Sequence, residues 1–260
     1  MTIEEQIRMA EASLMEAFTR HEAVEEQLTR KILGAFQHHQ VSYRHFAPTQ
    51  GYGYDDIGRD TLEKVWAELF GTEAALVRPQ IASGTAALAM TLFGLTRPGD
   101  HILSATGTPY DTLTDIIGMN DSHTVPGSLQ EMGVTYSEIP LAEDGSIDVA
   151  AVEAAIRPNT SLIIAQRSRG YSWRPSLMPE AFRPLAEMIH MRYPGIRLMV
   201  DNCYGEFVCE KEPSHFGADV VVGSMIKNPG GGIAPTGGYM AGTAEAIDRI
   251  AYRQIGRAHV

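Results

Sequence analysis

Apolar residues open the chain at Ile3, Ile7, Ala10, Leu14 and Ala17 and continue at Val24, Leu28, Ile32 and Phe36, with charged residues between them. A recurrence every three to four positions predicts one long amphipathic helix. His21 falls where the apolar seam should continue, so one weak point is expected there. The helix should lie on a neighbouring element or a second subunit rather than form a free coiled coil. The next stretch, Pro48 to Gly58, carries Gly51, Tyr52, Gly53 and Tyr54 without core periodicity and reads as a loop. A helical face resumes from Asp60 through Leu62, Val65, Trp66, Leu69 and Phe70, and Gly71 is placed to stop it.

Beyond Gly71 the pattern alternates. Short apolar runs predict strands at Ala74 to Val77, His101 to Ser104, Val134 to Ile139, Ser161 to Ala165, Arg197 to Val200 and Asp219 to Val222. Amphipathic segments predict helices at Thr85 to Leu95, Pro109 to Gly118, Asp148 to Ile156, Pro179 to His190 and Ala244 to Arg253. Strands that alternate with helices imply an α/β fold with a mainly parallel sheet covered on both faces, in which ligands bind at the carboxyl ends of the strands.

Composition narrows the function. With 260 residues and 44% hydrophobic content, the chain can bury a large core. A net charge of -11 argues against nonspecific nucleic-acid binding. No apolar run is long enough to span a membrane, and the N-terminus is charged throughout rather than signal-like, so a cytoplasmic protein with no membrane partner is expected. Cys203 and Cys209 are too few for a disulfide framework or a four-cysteine zinc site and read as free thiols. No histidine and carboxylate spacing matches a metal-binding helix motif, so no metal is expected, and His38 and His39 read as solvent-facing.

Three constellations follow predicted strands. Ser83-Gly84-Thr85 opens a helix, where outward amides, a permissive glycine and two hydroxyls make an anion cup, although a serine there is also an ordinary cap. Asp201 directly follows the apolar run Leu198-Met199-Val200 and either caps the next turn or faces a ligand. Lys227 follows a buried-strand pattern with Ser224 three residues earlier and a glycine-rich loop after it. Partial burial should lower its ammonium pKa and make the amine a nucleophile able to form a Schiff base. The glycines at 230–238 match neither a P-loop nor a dinucleotide fingerprint.

Phosphate cup, strand-end acid and strand-end lysine, in that order, are the parts needed to hold pyridoxal 5'-phosphate. Four segments, Gly51-Tyr-Gly-Tyr-Asp-Asp-Ile-Gly-Arg-Asp60, Gln80-Ile-Ala-Ser-Gly-Thr-Ala-Ala87, Gln166-Arg-Ser-Arg-Gly-Tyr171 and Gly223-Ser-Met-Ile-Lys-Asn-Pro-Gly-Gly-Gly232, resemble the aluminium resistance protein or methionine gamma-lyase-like family. That family belongs to the fold type I pyridoxal-phosphate enzymes of cysteine and methionine metabolism. The resemblance implies a mainly parallel seven-stranded sheet and extends to about Gln254.

Residue by residue, the resemblance implies that Lys227 binds the cofactor covalently and then moves the substrate α-proton. Asp201 pairs with the protonated ring nitrogen, Ser83, Gly84, Thr85 and Ser224 hold the phosphate, and Tyr110 stacks on the ring. Tyr52 or Tyr54 reaches across a dimer interface toward the partner's phosphate. Arg167 and Arg169 are candidates for a cofactor oxygen or a substrate carboxylate, or else surface residues, and Arg59 pairs with Asp60 or Glu63. The implied reaction is elimination of a thiol from a sulfur amino acid by a homodimer or homotetramer; a transaminase, a desulfurase and a non-catalytic cofactor-binding fragment are the alternatives. The expected organisation is a helical arm over 1–45 and a cofactor-binding domain over 46–254. The family's small C-terminal domain, which supplies a carboxylate-binding arginine, is expected to be missing. Residues 255–260 resemble the reading-frame translation of a common sequencing adapter and are expected to be a non-native tail.

Overall fold

A computed structural model describes residues 1–49, 56–119 and 124–254. The first helix, α1 (Ile3–His38), is capped by Thr2, whose side chain accepts from the Glu5 amide while Glu5 reaches back to the Thr2 amide. It runs through His21 without a break, since Glu16 to Arg20 and Glu26 to Arg30 pairs support the turns on either side. Only Leu28 and Ala35 are buried, so the body of the protein holds just the last third of this helix.

After it come α2 (Ile57–Phe70), β1 (Ala74–Val77), α3 (Gly84–Leu95), β2 (His101–Ser104), α4 (Asp111–Ile117) and β3 (Thr135–Glu138). The chain continues through α5 (Val149–Ala154), β4 (Thr160–Gln166), α6 (Arg183–Arg192), β5 (Arg197–Asp201), β6 (Val220–Ser224), β7 (Gly238–Gly242) and α7 (Ala244–Ala251). Gly71 ends α2 with φ of +62°, as its position suggested.

The seven strands form one sheet in the order β1-β7-β6-β5-β4-β2-β3. β7 runs antiparallel to both of its neighbours, β1 and β6, and the remaining pairs are parallel. β7 is the strand that periodicity missed: its sequence Gly-Tyr-Met-Ala-Gly carries glycine punctuation at both ends and follows a glycine-rich loop. It is nonetheless fully buried, because it fills the gap between β1 and β6.

Side chains divide between the two faces as the strand period of two requires. Leu198, Val200 and Val221 join Trp66, Phe70, Phe182, Leu185 and Ile189 on the face covered by α2 and α6. Met199, Val220 and Val222 join Leu88, Leu92, Leu113, Ile247 and Ile250 beneath α3, α4 and α7. The last helix is well packed, with Ala246, Ile247, Ile250 and Ala251 buried. Toward the far edge, buried His101 joins three strands, with its ring nitrogens 2.8 Å from Thr160 Oγ1 and 2.8 Å from Ser137 Oγ. Burial holds this imidazole neutral, with its pKa lowered to about 4.

An aromatic group of Trp66, Phe70, Phe207 and Tyr239 fills the space between α2 and the sheet, with Phe70 5.1 Å from Tyr239 and 5.8 Å from Phe207 between ring centroids. Phe70 is fully buried. Phe70→Ala is expected to cost about 3–5 kcal/mol of unfolding free energy. Urea titration followed by circular dichroism checks this, and a loss under about 1 kcal/mol would show that the cluster does not anchor α2.

Candidate active site

Strands β2, β4, β5 and β6 are parallel, and their carboxyl ends deliver Ser104, Gln166, Asp201 and Ser224 to one rim of the sheet. A cleft of about 180 Å³ opens there, lined by Tyr110, Ser168, Arg169, Asp201, Cys203, Tyr204 and Lys227 among others. Three sequence-predicted residues, Lys227, Asp201 and Tyr110, thus share one cavity.

Asp201 ends β5 and is only 6% exposed. Burial pushes its carboxyl pKa up, opposed by the Cys203 amide, which donates to Oδ1 at 3.0 Å, and by the nearby Lys227 ammonium. Such an acid is poised to pair with a cation brought into the cleft. Its β4 neighbour in register, Gln166, has an inaccessible Oε1 with no hydrogen-bond partner among the described residues. Both side chains border a small void beneath the cleft.

Lys227 is half-buried, and its Nζ sits 4.1 Å from the centre of the Tyr204 ring. Desolvation is the largest single influence on its amine and pulls the pKa down, as expected. The Cys203 sulfur, Asp201 and Tyr204 together pull it up further, so the net shift is upward and the amine stays protonated beside its acid. The expected depression is corrected on this point: Cys203, with Asp201 and Tyr204, outweighs the burial. Cys203 is itself buried, and desolvation holds it as a thiol.

None of the predicted anion-cup residues lines this cleft; they connect to it through Ser224, three residues before Lys227, and through Thr112, two residues after Tyr110. Ser83 caps α3 by accepting from the Ala86 amide at 3.0 Å, so both readings of this serine converge on one helix N-terminus. A Cβ on Gly84 would lie 2.7 Å from Ser224 Cβ, so only glycine lets the start of α3 close on the end of β6. Thr85 Oγ1 lies 3.3 Å from Thr112 Oγ1, which ties the cup to the helix just after Tyr110. Ser224 is buried three residues before Lys227. Hydroxyls and helix-terminal amides on one side, an amine and a buried acid on the other, fit a phosphorylated, cationic heterocyclic aldehyde.

Other assignments divide. Tyr110 carries a partner that sequence reasoning missed: Tyr171 stacks on it at 5.5 Å, with the two hydroxyls 3.0 Å apart. That hydrogen bond raises the Tyr110 phenol pKa to about 12. Arg167 is neither a surface residue nor a ligand to the cleft. It is 4% exposed and donates to Asn202 Oδ1 at 2.8 Å, the Gly205 carbonyl at 2.6 Å and the Leu177 carbonyl at 3.1 Å, with Glu212 at 3.4 Å. Arg169 does line the cleft, with its guanidinium 4.9 Å over the Trp173 ring. Arg59 pairs with Asp60 at 2.7 Å, while Glu63 pairs with Arg78 at 2.6 Å. Tyr52, Tyr54 and the expected tail at 255–260 lie outside the described residues.

Behind Asp201 the loop after β5 turns through two non-glycine residues of positive φ, Tyr204 at 68° and Phe207 at 55°. Glu206, between them, is fully buried and accepts from Tyr239 Oη at 3.0 Å, and its other oxygen has no hydrogen-bond partner among the described residues. Burial pushes this carboxyl up to about 7. Neither Tyr204 nor Glu206 was singled out in sequence. The signal available was their place in the segment immediately following the strand-end acid.

The seven-stranded, mostly parallel sheet covered by helices on both faces defines an α/β protein of the fold type I, transferase-like class. The methionine gamma-lyase family model matches residues 3–257, and the chain belongs to that family. YnbB of Bacillus subtilis, an uncharacterized protein, is 49% identical over 236 residues, covering 90% of this chain and 56% of its own length. A Bacillus cereus protein of solved structure is 47% identical with a TM-score of 0.93, over 98% of this chain and 62% of that one. A carbon-sulfur lyase involved in aluminum resistance from Clostridium novyi NT is 42% identical with a TM-score of 0.91, over 96% of this chain and 60% of that one. The chain thus spans about three fifths of the length of these relatives. Among the described residues, no helix is long and apolar enough to cross a membrane.

Glu206 gives the stability a defined pH dependence. A carboxyl whose pKa rises from 4.5 to about 7 on folding binds more protons in the native state between those values, so it lowers stability as pH rises through that window. The shift corresponds to about 3 kcal/mol at most. Glu206→Gln, which keeps an acceptor for Tyr239, is expected to gain stability relative to wild type above pH 7 and to match it near pH 4.5 or below. Urea midpoints across pH 4–8 test this, and a variant-minus-wild-type difference independent of pH would contradict it.

Proposed function

We propose that this chain carries the cofactor-binding core of a pyridoxal-phosphate-dependent carbon–sulfur lyase acting on a sulfur amino acid, of the methionine gamma-lyase or cystathionine beta-lyase kind. The observation that carries the reading is the convergence of Lys227 and Asp201 in one cleft beside the Ser83, Gly84, Thr85 and Ser224 cup. Family membership and the carbon-sulfur lyase among the relatives support it.

Pyridoxal 5'-phosphate, when bound, supplies an electron sink in conjugation with the substrate amino group. The chain supplies the rest. Helix-terminal amides of α3 with the Ser83, Thr85 and Ser224 hydroxyls bind the phosphate. The Asp201 carboxylate would pair with the ring nitrogen and keep it protonated, and its burial would strengthen that pairing. The Tyr110 ring would supply an aromatic surface for the heterocycle. Lys227 Nζ, as a neutral amine, would take the α-proton of the substrate and deliver it toward the departing sulfur. The balanced outcome is that a thioether-bearing amino acid and water give a thiol, ammonia and a 2-oxo acid, and a thiol-bearing one gives hydrogen sulfide in place of the thiol. Arg169, at the mouth, is the cation placed to meet the substrate carboxylate. Cytoplasmic location and assembly as a homodimer or homotetramer belong to the same proposal. A desulfurase is disfavoured because burial keeps Cys203 protonated and Cys209 rests on Arg167 at 3.4 Å.

The test is the visible spectrum of the chain with added pyridoxal phosphate, followed by separate additions of L-methionine, cystathionine and cysteine while 2-oxo acid is assayed. Wild type should shift the cofactor band and release 2-oxo acid from at least one of them. Lys227→Ala should lose the shift and lower turnover by about 10²–10⁴-fold or more, the range for loss of a positioned proton carrier. Asp201→Asn should lower turnover by about 10²-fold or more. A folded wild type with no lysine-dependent shift would overturn the cofactor assignment, and a shift with no 2-oxo acid from any of the three would overturn the lyase reading.

A further inference from the structure

At the far end of the long arm, away from the cleft residues, α1 and α2 bring together a second cluster of polar groups. His38 is the last residue of α1, His39 is its cap, and Glu68 lies in the last turn of α2. His38 Nδ1 and His39 Nε2 each lie 2.7 Å from the same oxygen, Glu68 Oε2, and the three donor atoms all fall within 4.8 Å of one another. His38 is hydrogen-bonded to that oxygen. His39 Nε2 is inaccessible to solvent and, despite its closeness, has no aligned hydrogen-bond partner among the described residues.

Elementary electrostatics disfavours this arrangement without a cation. Two helix C-termini meet here, and each carries the partial negative charge of its unsatisfied carbonyls. Glu68 adds a full negative charge at the end of α2, where the dipole favours a positive one. His38 takes the Glu68 Oε2 acceptor, and the inaccessible His39 nitrogen, equally close, is left without an aligned hydrogen bond. A divalent ion resolves all three: it takes the imidazole lone pairs, neutralises Glu68 and complements both helix ends. Tetrahedral coordination at about 2.0–2.2 Å puts donor atoms about 3.3 Å apart, within reach of small rotations of these side chains.

We propose that His38, His39 and Glu68 form a binding site for a divalent transition-metal ion of the zinc class. Two imidazoles and one carboxylate select zinc, cobalt or nickel over magnesium or calcium, which demand oxygen donors. Three protein ligands leave a coordination position for water or another donor. His39 is 20% exposed and Glu68 38% exposed on their side chains, against 72% for His38, so the ion enters from the His38 side. Since α1 buries only Leu28 and Ala35, such an ion also fastens the arm to α2. The site owes nothing to the lyase reading and stands or falls separately from it.

The test titrates zinc ion into the metal-free full chain against a chromophoric chelator, for wild type, His38→Gln, His39→Ala and Glu68→Gln, with cobalt absorption and thermal unfolding measured alongside. Sites elsewhere in the chain bind equally in all four proteins. Wild type should bind one more equivalent than His39→Ala or Glu68→Gln at matched concentration, with affinity at that site down at least 10-fold in each variant. Exposed His38→Gln, which leaves the packing intact, should show the same loss if the buried variants fold poorly. Cobalt should give visible bands of four-coordinate type in wild type only, and zinc should raise the melting temperature of wild type more than that of the variants. Equal stoichiometry and affinity in wild type and His38→Gln, or a melting temperature that zinc raises equally in both, would overturn the proposal.

Discussion

The carboxylate of Asp201, held almost out of water at the end of the central strand, is the constraint around which the active-site end of the molecule is arranged. An acid there is costly unless a cation stands beside it. Lys227 is that cation within the chain, and Cys203, Asp201 and Tyr204 together raise its amine pKa against the downward pull of burial. Under the proposed function, the same acid would exchange the ammonium for a cationic ring nitrogen as its partner.

Keeping Asp201 in place is the task of the sheet and of the loop that follows it. β5 lies between β4 and β6, buried on both faces, and its last residue cannot shift without disturbing the hydrophobic layers on either side. The loop beyond is fixed by Arg167, whose guanidinium ties together Asn202, Gly205 and Glu212. On the other side, Tyr239 of β7 holds Glu206. Removing any one of these partners leaves another buried polar group unsatisfied, which costs more than the bond itself is worth. Two buried titratable groups pull stability in opposite directions with pH. Neutral His101 favours folding less as pH falls below its ordinary value, and Glu206 favours it less as pH rises toward 7.

Most of the fold was legible because the signals were local. Apolar runs such as Leu198-Met199-Val200 and Val220-Val221-Val222 can only be buried strands, and Gly71 and Ser83 punctuate helices by well-understood cap chemistry. β7 was not legible, because its glycines are needed for close approach between neighbouring strands, where a Cβ on Gly242 would lie 2.3 Å from the Asp219 carbonyl. In sequence those glycines read as loop. Near the cleft, the placement of Asp201 at the end of β5, of Lys227 just after β6 and of Ser83 at the start of α3 was readable from the sequence. Arg167 was ambiguous because its role depends on contacts 35 to 45 residues away, and the Tyr110 and Tyr171 stack joins residues 61 apart. The pairing of His38 and His39 with Glu68 was hidden in the same way, since neither helix alone shows a ligand spacing.

The most direct measurement of whether Lys227 and Asp201 form a cofactor site is chemical capture. Incubation with pyridoxal 5'-phosphate, reduction with borohydride, proteolysis and mass spectrometry would locate the phosphopyridoxyl group. Near-stoichiometric modification of Lys227, with Lys31, Lys64 and Lys211 essentially free of it, is the result expected. Modification spread over the surface lysines, or none at Lys227 in the folded protein, would contradict the assignment.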